Sequence, residues 1–244
     1  MTLGRTEYVD ALRREGAALA DAAEPALDKP VPACPGWSVA DLVAHTWGVH
    51  YFWRTIVGQK ITTDEEVNAL KKPEPPSEDR LVAAFLQGVE ETAKVLEGAD
   101  PSAPCWSWSE QKNNAFAQRR MAQETVVHRY DVQAAAGAPQ PIEPGLAADG
   151  IDEFLMFFRA GDARLTGSGE TVHVHCTDVP GEWTLTFASA GPRIDQSHGK
   201  ADAAMRGKAS DLLLVLWERL PRQAVERFGD GELLDRFFAA WDRD

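Results

Sequence analysis

The sequence has few cysteines and no paired ones. Cys34, Cys105 and Cys176 are the three in the chain, and they are far apart. Because no C-x-x-C pair is present, the sequence offers neither a thiolate zinc site nor a dithiol redox centre. A disulfide framework is not expected in an intracellular chain of this size. A reaction that needs a reactive thiol would therefore take it from a separate molecule.

Long apolar runs and basic clusters are also missing. No stretch approaches the 18 uncharged apolar residues that a membrane-spanning helix needs. The first residues, MTLGRTEYVDALRREG, have charges where a signal peptide needs an apolar core, which predicts a cytoplasmic protein. The chain contains 25 Lys and Arg residues and 38 Asp and Glu residues, which gives a net charge of −13. This balance argues against nucleic acid or an anionic membrane as the partner, because both attract basic surfaces.

The amino-acid composition is that of an ordinary globular protein. Its 244 residues are 44% hydrophobic and 26% charged, and at about 150 residues per domain this length allows one large domain or two small ones. Apolar residues recur at helical spacing throughout the first half. Ser38 and Asp41, directly after a Pro-Gly-Trp turn, form the clearest helix start signal. The pattern predicts four helices, over residues 7–23, 39–58, 77–96 and 115–136.

The helical pattern stops at a break rich in proline and glycine, residues 137–145. Residues 171–176 and 183–187 then alternate at period two around a Pro-Gly turn, which predicts a β-hairpin. Further helices are predicted over residues 146–159, 209–220 and 231–241. The sequence thus predicts an α+β protein, with a four-helix bundle in residues 1–140 and a small α/β domain in residues 141–244.

The fourth predicted helix contains the most informative pair of residues. Glu124 and His128 are four positions apart and therefore share one helix face. That face also carries Ala117, Met121 and Val132, so it is expected to point inward. Inward charges are costly unless they are paired or bind a metal. The pair could be two ligands of a metal site, or Glu124 could pair with an arginine while His128 is a core histidine.

A third ligand would come from another helix, where His45 and His50 are the candidates. A wheel at about 100° per residue places His50 roughly 50° from the centre of the apolar stripe and His45 roughly 90° away. Periodicity alone therefore does not select His45. Two histidines and one glutamate suit zinc and leave a fourth position open, although iron(II) and nickel also accept such ligands.

Two segments resemble the N-terminal motifs of the mycothiol-dependent maleylpyruvate isomerase family. They are PACPGWSVADLVAH, residues 32–45, and FAQRRMAQETVVHRYD, residues 116–131. The likeness continues in DGIDEFL, residues 149–155, and GKASDLLLVLW, residues 207–217, so it covers nearly the whole chain. One departure is Glu218, where members of the family commonly have glycine; it puts the choice of substrate in doubt.

The resemblance implies a DinB-like metal-binding four-helix bundle followed by a domain similar to sterol carrier proteins. The family's metal ligands fall on His45, Glu124 and His128. The implied activity is that of a mycothiol-dependent transferase or isomerase: a metal, expected to be zinc, activates mycothiol for attack on a small electrophile. A non-catalytic metal-binding or stress-response protein and a metal-dependent hydrolase remain alternatives. The expected assembly is a monomer or a homodimer.

Further residues are candidates for supporting roles. Asp131 could orient a ligand or a water molecule, since it lies three positions after His128. Arg120, and Arg219 from the second domain, could pair with a substrate carboxylate. His50 is a candidate cofactor-binding residue that would line the pocket, or alternatively a core histidine.

A second arrangement is weaker. His173 and His175 alternate as H-x-H on one face of a predicted strand, where they could bind a metal. The sequence suggests no third ligand for that pair.

Overall fold

The computed structural model describes residues 2–159 and 163–239. The chain divides into two compact units. Residues 3–140 form the N-terminal unit. The described residues from Pro141 onward form the C-terminal unit, with which residue 2 is grouped. Within the described ranges, no helix combines the length and the apolar character needed to cross a membrane.

The N-terminal unit is entirely helical. Its helices are α1 (Arg5–Ala23), α2 (Val39–Gly58), α3 (Asp64–Asn68), α4 (Glu78–Gly98) and α5 (Asn114–Ala136). The four long ones are those predicted from apolar periodicity, and the short α3 was not predicted. Helix α1 packs against α4 and α5, and α2 also packs against these two helices.

The start of α2 follows the predicted signal. The Ser38 hydroxyl accepts a hydrogen bond from the Asp41 amide at 3.1 Å, and the Asp41 carboxylate accepts one from the Ser38 amide at 2.8 Å. This capping box satisfies two amides that the first turn would otherwise leave unpaired. It fixes where α2 begins and therefore the face on which His45 emerges two turns later.

Helix α5 is buried along most of its length, including polar positions. Arg129 donates to Glu15 of α1 at 2.9 Å, an ion pair with both side chains nearly inaccessible. Arg129 also donates to the Gln133 side chain at 2.8 Å. Such pairing offsets the cost of burying charge, so α5 can bring polar side chains into the interior.

The C-terminal unit contains helix α6 (Pro144–Glu153), a π-helical segment (Phe154–Arg159) and a five-stranded sheet. The strands are β1 (Thr171–Cys176), β2 (Glu182–Ala188), β3 (Gly191–Asp195), β4 (Ala203–Gly207) and β5 (Glu226–Gly229), with α7 (Ala209–Leu216) after β4 and α8 (Gly231–Ala239) after β5. The sheet order is β3-β2-β1-β4-β5, in which β1 and β4 are parallel and all other neighbours are antiparallel.

The α+β fold class is confirmed, as is the hairpin of β1 and β2, which places His175 opposite Glu182. Strands β3, β4 and β5 were not predicted. The predicted helix 146–159 changes to a π-helix at Phe154, and the one predicted to reach residue 220 ends at Leu216. The last predicted helix is present as α8, but its expected end at Trp241 lies outside the described residues.

Candidate metal centre

Three of the predicted ligands meet in the N-terminal unit. His45 comes from α2, while Glu124 and His128 come from α5. One ligand atom of each lies within 4.8 Å of the other two. The Nε2 atoms of His45 and His128 lie 3.3 Å and 3.1 Å from the same oxygen, Oε1 of Glu124. We call these three residues the helical cluster.

The two oxygens of Glu124 have different neighbours. Oε1 faces the two histidines, and Oε2 accepts a hydrogen bond from the Arg120 guanidinium at 3.2 Å. Burial alone would raise the pKa of Glu124, but the neighbouring His128, hydrogen bonds to His128 and His45, and the charge of Arg120 together hold this pKa well below its usual value. The carboxylate is therefore ionised and can serve as a ligand.

The ring of His128 is held on both sides. Its Nδ1 lies 3.0 Å from Oδ2 of Asp131, a side chain with 0% exposure. Burial lowers the pKa of His128, but the carboxylates of Glu124 and Asp131 outweigh it and raise this pKa to about 9. A carboxylate on Nδ1 is the usual way in which a protein fixes the orientation of a metal-binding histidine.

The donor set fits a divalent transition metal. Two imidazole nitrogens and one carboxylate oxygen converge, and each α5 ligand has a further partner that orients it, Arg120 or Asp131. Zinc takes such a set with a fourth position left for a small molecule, and related metals accept it as well. Glu124 and His128 are adjacent because they are one turn apart on α5, and the packing of α2 against α5 brings His45 to them.

A cleft of about 1050 Å³ adjoins the cluster at His45. The His45 ring contacts Trp37 with 5.2 Å between ring centroids, and its side chain is 38% exposed. Two lysines, Lys71 and Lys72, line the cleft. Its walls are largely aromatic and include Trp37, Trp47, Tyr51, Phe52 and Trp106. This volume is of the size that proteins use for small molecules. His45 is thus the cluster residue that faces the cleft.

His50 lies in the interior of the N-terminal unit. Its side chain is fully buried, its Nε2 lies 2.8 Å from the Thr125 hydroxyl and its ring stacks on Phe85. The Thr125 hydroxyl donates its single proton to the Met121 carbonyl, so Nε2 of His50 must be the donor. A ring without exposed surface does not line a cleft, and this placement favours the core histidine over the predicted cofactor-binding residue.

The two arginines predicted as catalytic have different positions. Arg120 is nearly buried and contacts Glu124, which places it beside a ligand. Arg219 belongs to the C-terminal unit, where its guanidinium donates to the Trp217 carbonyl at 2.8 Å and lies 5.9 Å from the Trp217 ring. Asp131, the third predicted catalytic residue, contacts His128.

Sequence reasoning missed the residues that form the cleft. Trp37 belongs to the turn before α2, and Lys71 and Lys72 lie in the connection between α3 and α4. No local spacing marks a loop residue as the wall of a cleft formed with α2, although the tryptophans near residues 37 to 53 were a compositional signal.

Two family models match the chain, one in each unit. Residues 8–133 match the family model described as the mycothiol maleylpyruvate isomerase N-terminal domain, and residues 145–236 match the MDMPI C-terminal domain. No curated protein matches the chain in sequence.

Two solved structures share the fold. A crystal structure of the mycothiol-dependent maleylpyruvate isomerase has a TM-score of 0.59 at 14% identity, covering 93% of this chain and 95% of that one. A histidine-to-alanine mutant of such an enzyme has a TM-score of 0.56 at 13% identity with the same coverage. The resemblance predicted from the motifs is confirmed. The chain belongs to the mycothiol-dependent maleylpyruvate isomerase family.

Proposed function

We propose that this protein is a metal-dependent enzyme that uses a low-molecular-weight thiol, mycothiol, to attack a small electrophilic substrate. The observation that carries the proposal is the convergence of His45, Glu124 and His128 at the edge of a cleft, in a chain of a thiol-dependent family. Two of the three cysteines agree with it, since Cys105 and Cys176 are buried and burial raises their pKa values to about 11 and about 12. These two thiols are poor nucleophiles near neutral pH.

His45, Glu124 and His128 would hold the metal. A divalent metal supplies positive charge that favours the thiolate over the thiol, and a thiolate is the nucleophilic form. Asp131 and Arg120 act through the ligands and are positioning residues. The Asp131 carboxylate accepts a hydrogen bond from Nδ1 of His128, which leaves Nε2 to face the cluster, and Arg120 donates to the second oxygen of Glu124.

The cleft would bind the electrophile. Its aromatic walls exclude water from an apolar or conjugated substrate, while Lys71 and Lys72 supply positive charge. An anionic substrate needs such local charge, because the chain as a whole has a net charge of −13.

The adduct formed in the first step has two possible outcomes. The thiolate sulfur forms a bond to an alkene carbon, and the alkene's electron pair moves to a conjugated carbonyl, so that the former double bond can rotate. If the electron pair then returns from the carbonyl oxygen, the double bond re-forms, the carbon–sulfur bond breaks and the thiolate is released, so that the result is cis–trans isomerisation. If a proton is added instead, the product is an S-conjugate. The family favours isomerisation.

The experiment is a thiol-dependence assay on the zinc-loaded protein with maleylpyruvate as the probe. Turnover is expected to rise from near zero as mycothiol is added, and to fall at least 100-fold in Glu124→Gln, since a charged ligand is lost. Glu78→Gln, an exposed glutamate at the start of α4, is the matched control and should retain activity. Equal turnover with and without mycothiol would exclude the thiolate mechanism and favour a hydrolase.

A further inference from the structure

The C-terminal unit brings a second set of metal-ligating side chains together on its sheet. His173 and His175 lie on the same face of β1, and Glu182 pairs with His175 across the β1–β2 hairpin. The carboxylate oxygen Oε1 of Glu182 lies 2.8 Å from Nδ1 of His175. An antiparallel pair places directly opposite side chains close together, so the hairpin register alone accounts for this contact.

A fourth residue reaches the same carboxylate from the segment that follows β3. Nδ1 of His198 lies 2.7 Å from Oε2 of Glu182. This segment is also held by contacts that do not involve His198, since the Thr184 hydroxyl donates to the Ser197 carbonyl at 3.1 Å and Gln196 donates to Asp152. The approach of His198 to the sheet is therefore built into the fold.

His173 completes the set from the interior side. It is 7% exposed, and among the described residues its Nε2 has no hydrogen-bond partner. This nitrogen is 3.6 Å from Oε2 of Glu182, too far for a hydrogen bond. One ring nitrogen of His173 lies within 4.8 Å of a ligand atom of each of the other three residues. A buried polar nitrogen without a partner is costly, and a cation among these atoms would supply one.

Ion pairing alone does not explain the arrangement. One carboxylate has two oxygens, and those oxygens already face His175 and His198. Nε2 of His173 therefore has no oxygen of this carboxylate left to pair with, and a cation among these side chains would satisfy it.

We propose that His173, His175, Glu182 and His198 form a second metal site, for a divalent transition-metal cation such as zinc. Three imidazole nitrogens and one carboxylate oxygen are ligands that zinc accepts, in the number that fills its tetrahedral shell, and nitrogen donors disfavour magnesium and calcium. We call these residues the sheet cluster. Its metal ties β1, β2 and the segment after β3 to one another.

The site would stabilise a segment of the C-terminal unit that lacks regular secondary structure. Residues 196–200 have neither helix nor strand structure, and His198 itself is 79% exposed. Binding to the folded state alone raises stability with metal concentration. The role is thus independent of turnover at the helical cluster.

The experiment measures zinc bound per full-length chain after loading and dialysis, together with the melting temperature at each zinc concentration. His198→Ala removes one exposed ligand without affecting the core, and Lys200→Ala changes an exposed neighbour that is not a ligand. The wild-type chain and Lys200→Ala are expected to bind one more zinc than His198→Ala. Zinc is also expected to raise their melting temperature more than that of His198→Ala.

Glu124→Gln separates this result from the proposed function, because it removes a ligand of the helical cluster only. If His198→Ala binds as much zinc as the wild-type chain while Glu124→Gln binds less, the sheet cluster is not a metal site and the helical cluster is retained. If His198→Ala binds one zinc fewer, the sheet cluster binds zinc whatever the result for Glu124→Gln.

Discussion

His128 has a separate task for each of its ring nitrogens. Nδ1 faces Asp131 at 3.0 Å, and Nε2 faces Glu124 at 3.1 Å. Both neighbours are carboxylates, which accept and do not donate, so without a metal each ring nitrogen carries a proton, in line with the pKa of about 9. A metal at Nε2 would replace that proton, while the contact with Asp131 keeps the other one on Nδ1.

Replacing Asp131 with asparagine tests this role. The amide keeps the shape of the side chain but loses the charge, and we expect zinc affinity at the helical cluster to fall about 10- to 100-fold. Competition with a chromophoric chelator measures the change. Asp21→Asn, at an exposed position of α1, is the control. If the Asp131→Asn affinity equals that of the control, Asp131 has no part in orienting His128.

His50 makes stability depend on pH. Burial lowers the pKa of His50 to about 3, whereas an unfolded histidine has a pKa of about 6.5. Between these values the unfolded chain binds a proton that the folded chain does not, so stability from this residue is present above pH 6.5 and is lost as the pH falls toward 3.

His50→Gln should reduce this dependence. At pH 5 the unfolded chain has gained about 2 kcal/mol from protonating this residue, and we expect the loss of stability between pH 7 and pH 5 to be smaller by that amount in the variant. Urea unfolding with a chelator present measures both proteins without a contribution from metal. An equal loss in the variant and the wild type would show that His50 is protonated in the folded chain.

The positions of the metal-ligating side chains could be predicted from the sequence only in part. The spacing of Glu124 and His128 indicated their shared face, because one helical turn fixes it. The helical wheel favoured His50 over His45, since a wheel measures the distance to the apolar stripe, whereas the structure places His45 at the edge of the cleft. Glu182 and His198 could not be identified as partners of the H-x-H pair, because their approach depends on strand pairing and on a loop far along the chain.

Two helices end in the same motif without the residue that the motif favours. At the end of α2 the Lys60 amide donates to Val57 and the Ile61 amide to Ile56, and Lys60 has a φ of 56°. At the end of α7 the Glu218 amide donates to Val215 and the Arg219 amide to Leu214, and Glu218 has a φ of 58°. Glycine is preferred at this left-handed position, because it has no Cβ.

Lys60→Gly should stabilise the N-terminal unit. A residue with a Cβ atom pays about 1 kcal/mol for the left-handed conformation, and glycine does not. Removing this cost is expected to raise the melting temperature by about 2–4 °C for a chain of this size. Calorimetry of Lys60→Gly beside Lys60→Ala measures it, since alanine also loses the lysine side chain but keeps Cβ. The account is contradicted if alanine stabilises as much as glycine.

Elements with strong local signals were predicted, and those that depend on distant partners were not. The capping box of Ser38 and the alternation of β1 and β2 are both local. Strand β4, AAMRG, has small residues of weak strand preference and forms by pairing with β1 in parallel, which needs a long connection. Strand β5 is exposed at all four positions and so shows no alternation.

At the scale of the whole molecule, each unit contains a cluster of metal-ligating residues, and the two clusters differ in kind. The helical cluster has three ligands beside a cleft, which leaves room for a small molecule. The sheet cluster has four ligands on a sheet face, which is a complete set for a tetrahedral cation. The first is proposed for chemistry and the second for stability.

The central claim, a metal held by His45, Glu124 and His128, is tested most directly by the difference in zinc content between the wild-type chain and Glu124→Gln. Both are loaded, dialysed and measured by elemental analysis, with circular dichroism to show that the variant is folded and with Glu78→Gln as the control. The account predicts that Glu124→Gln retains one zinc per chain fewer than the wild type and the control. Equal zinc in all three proteins would contradict it.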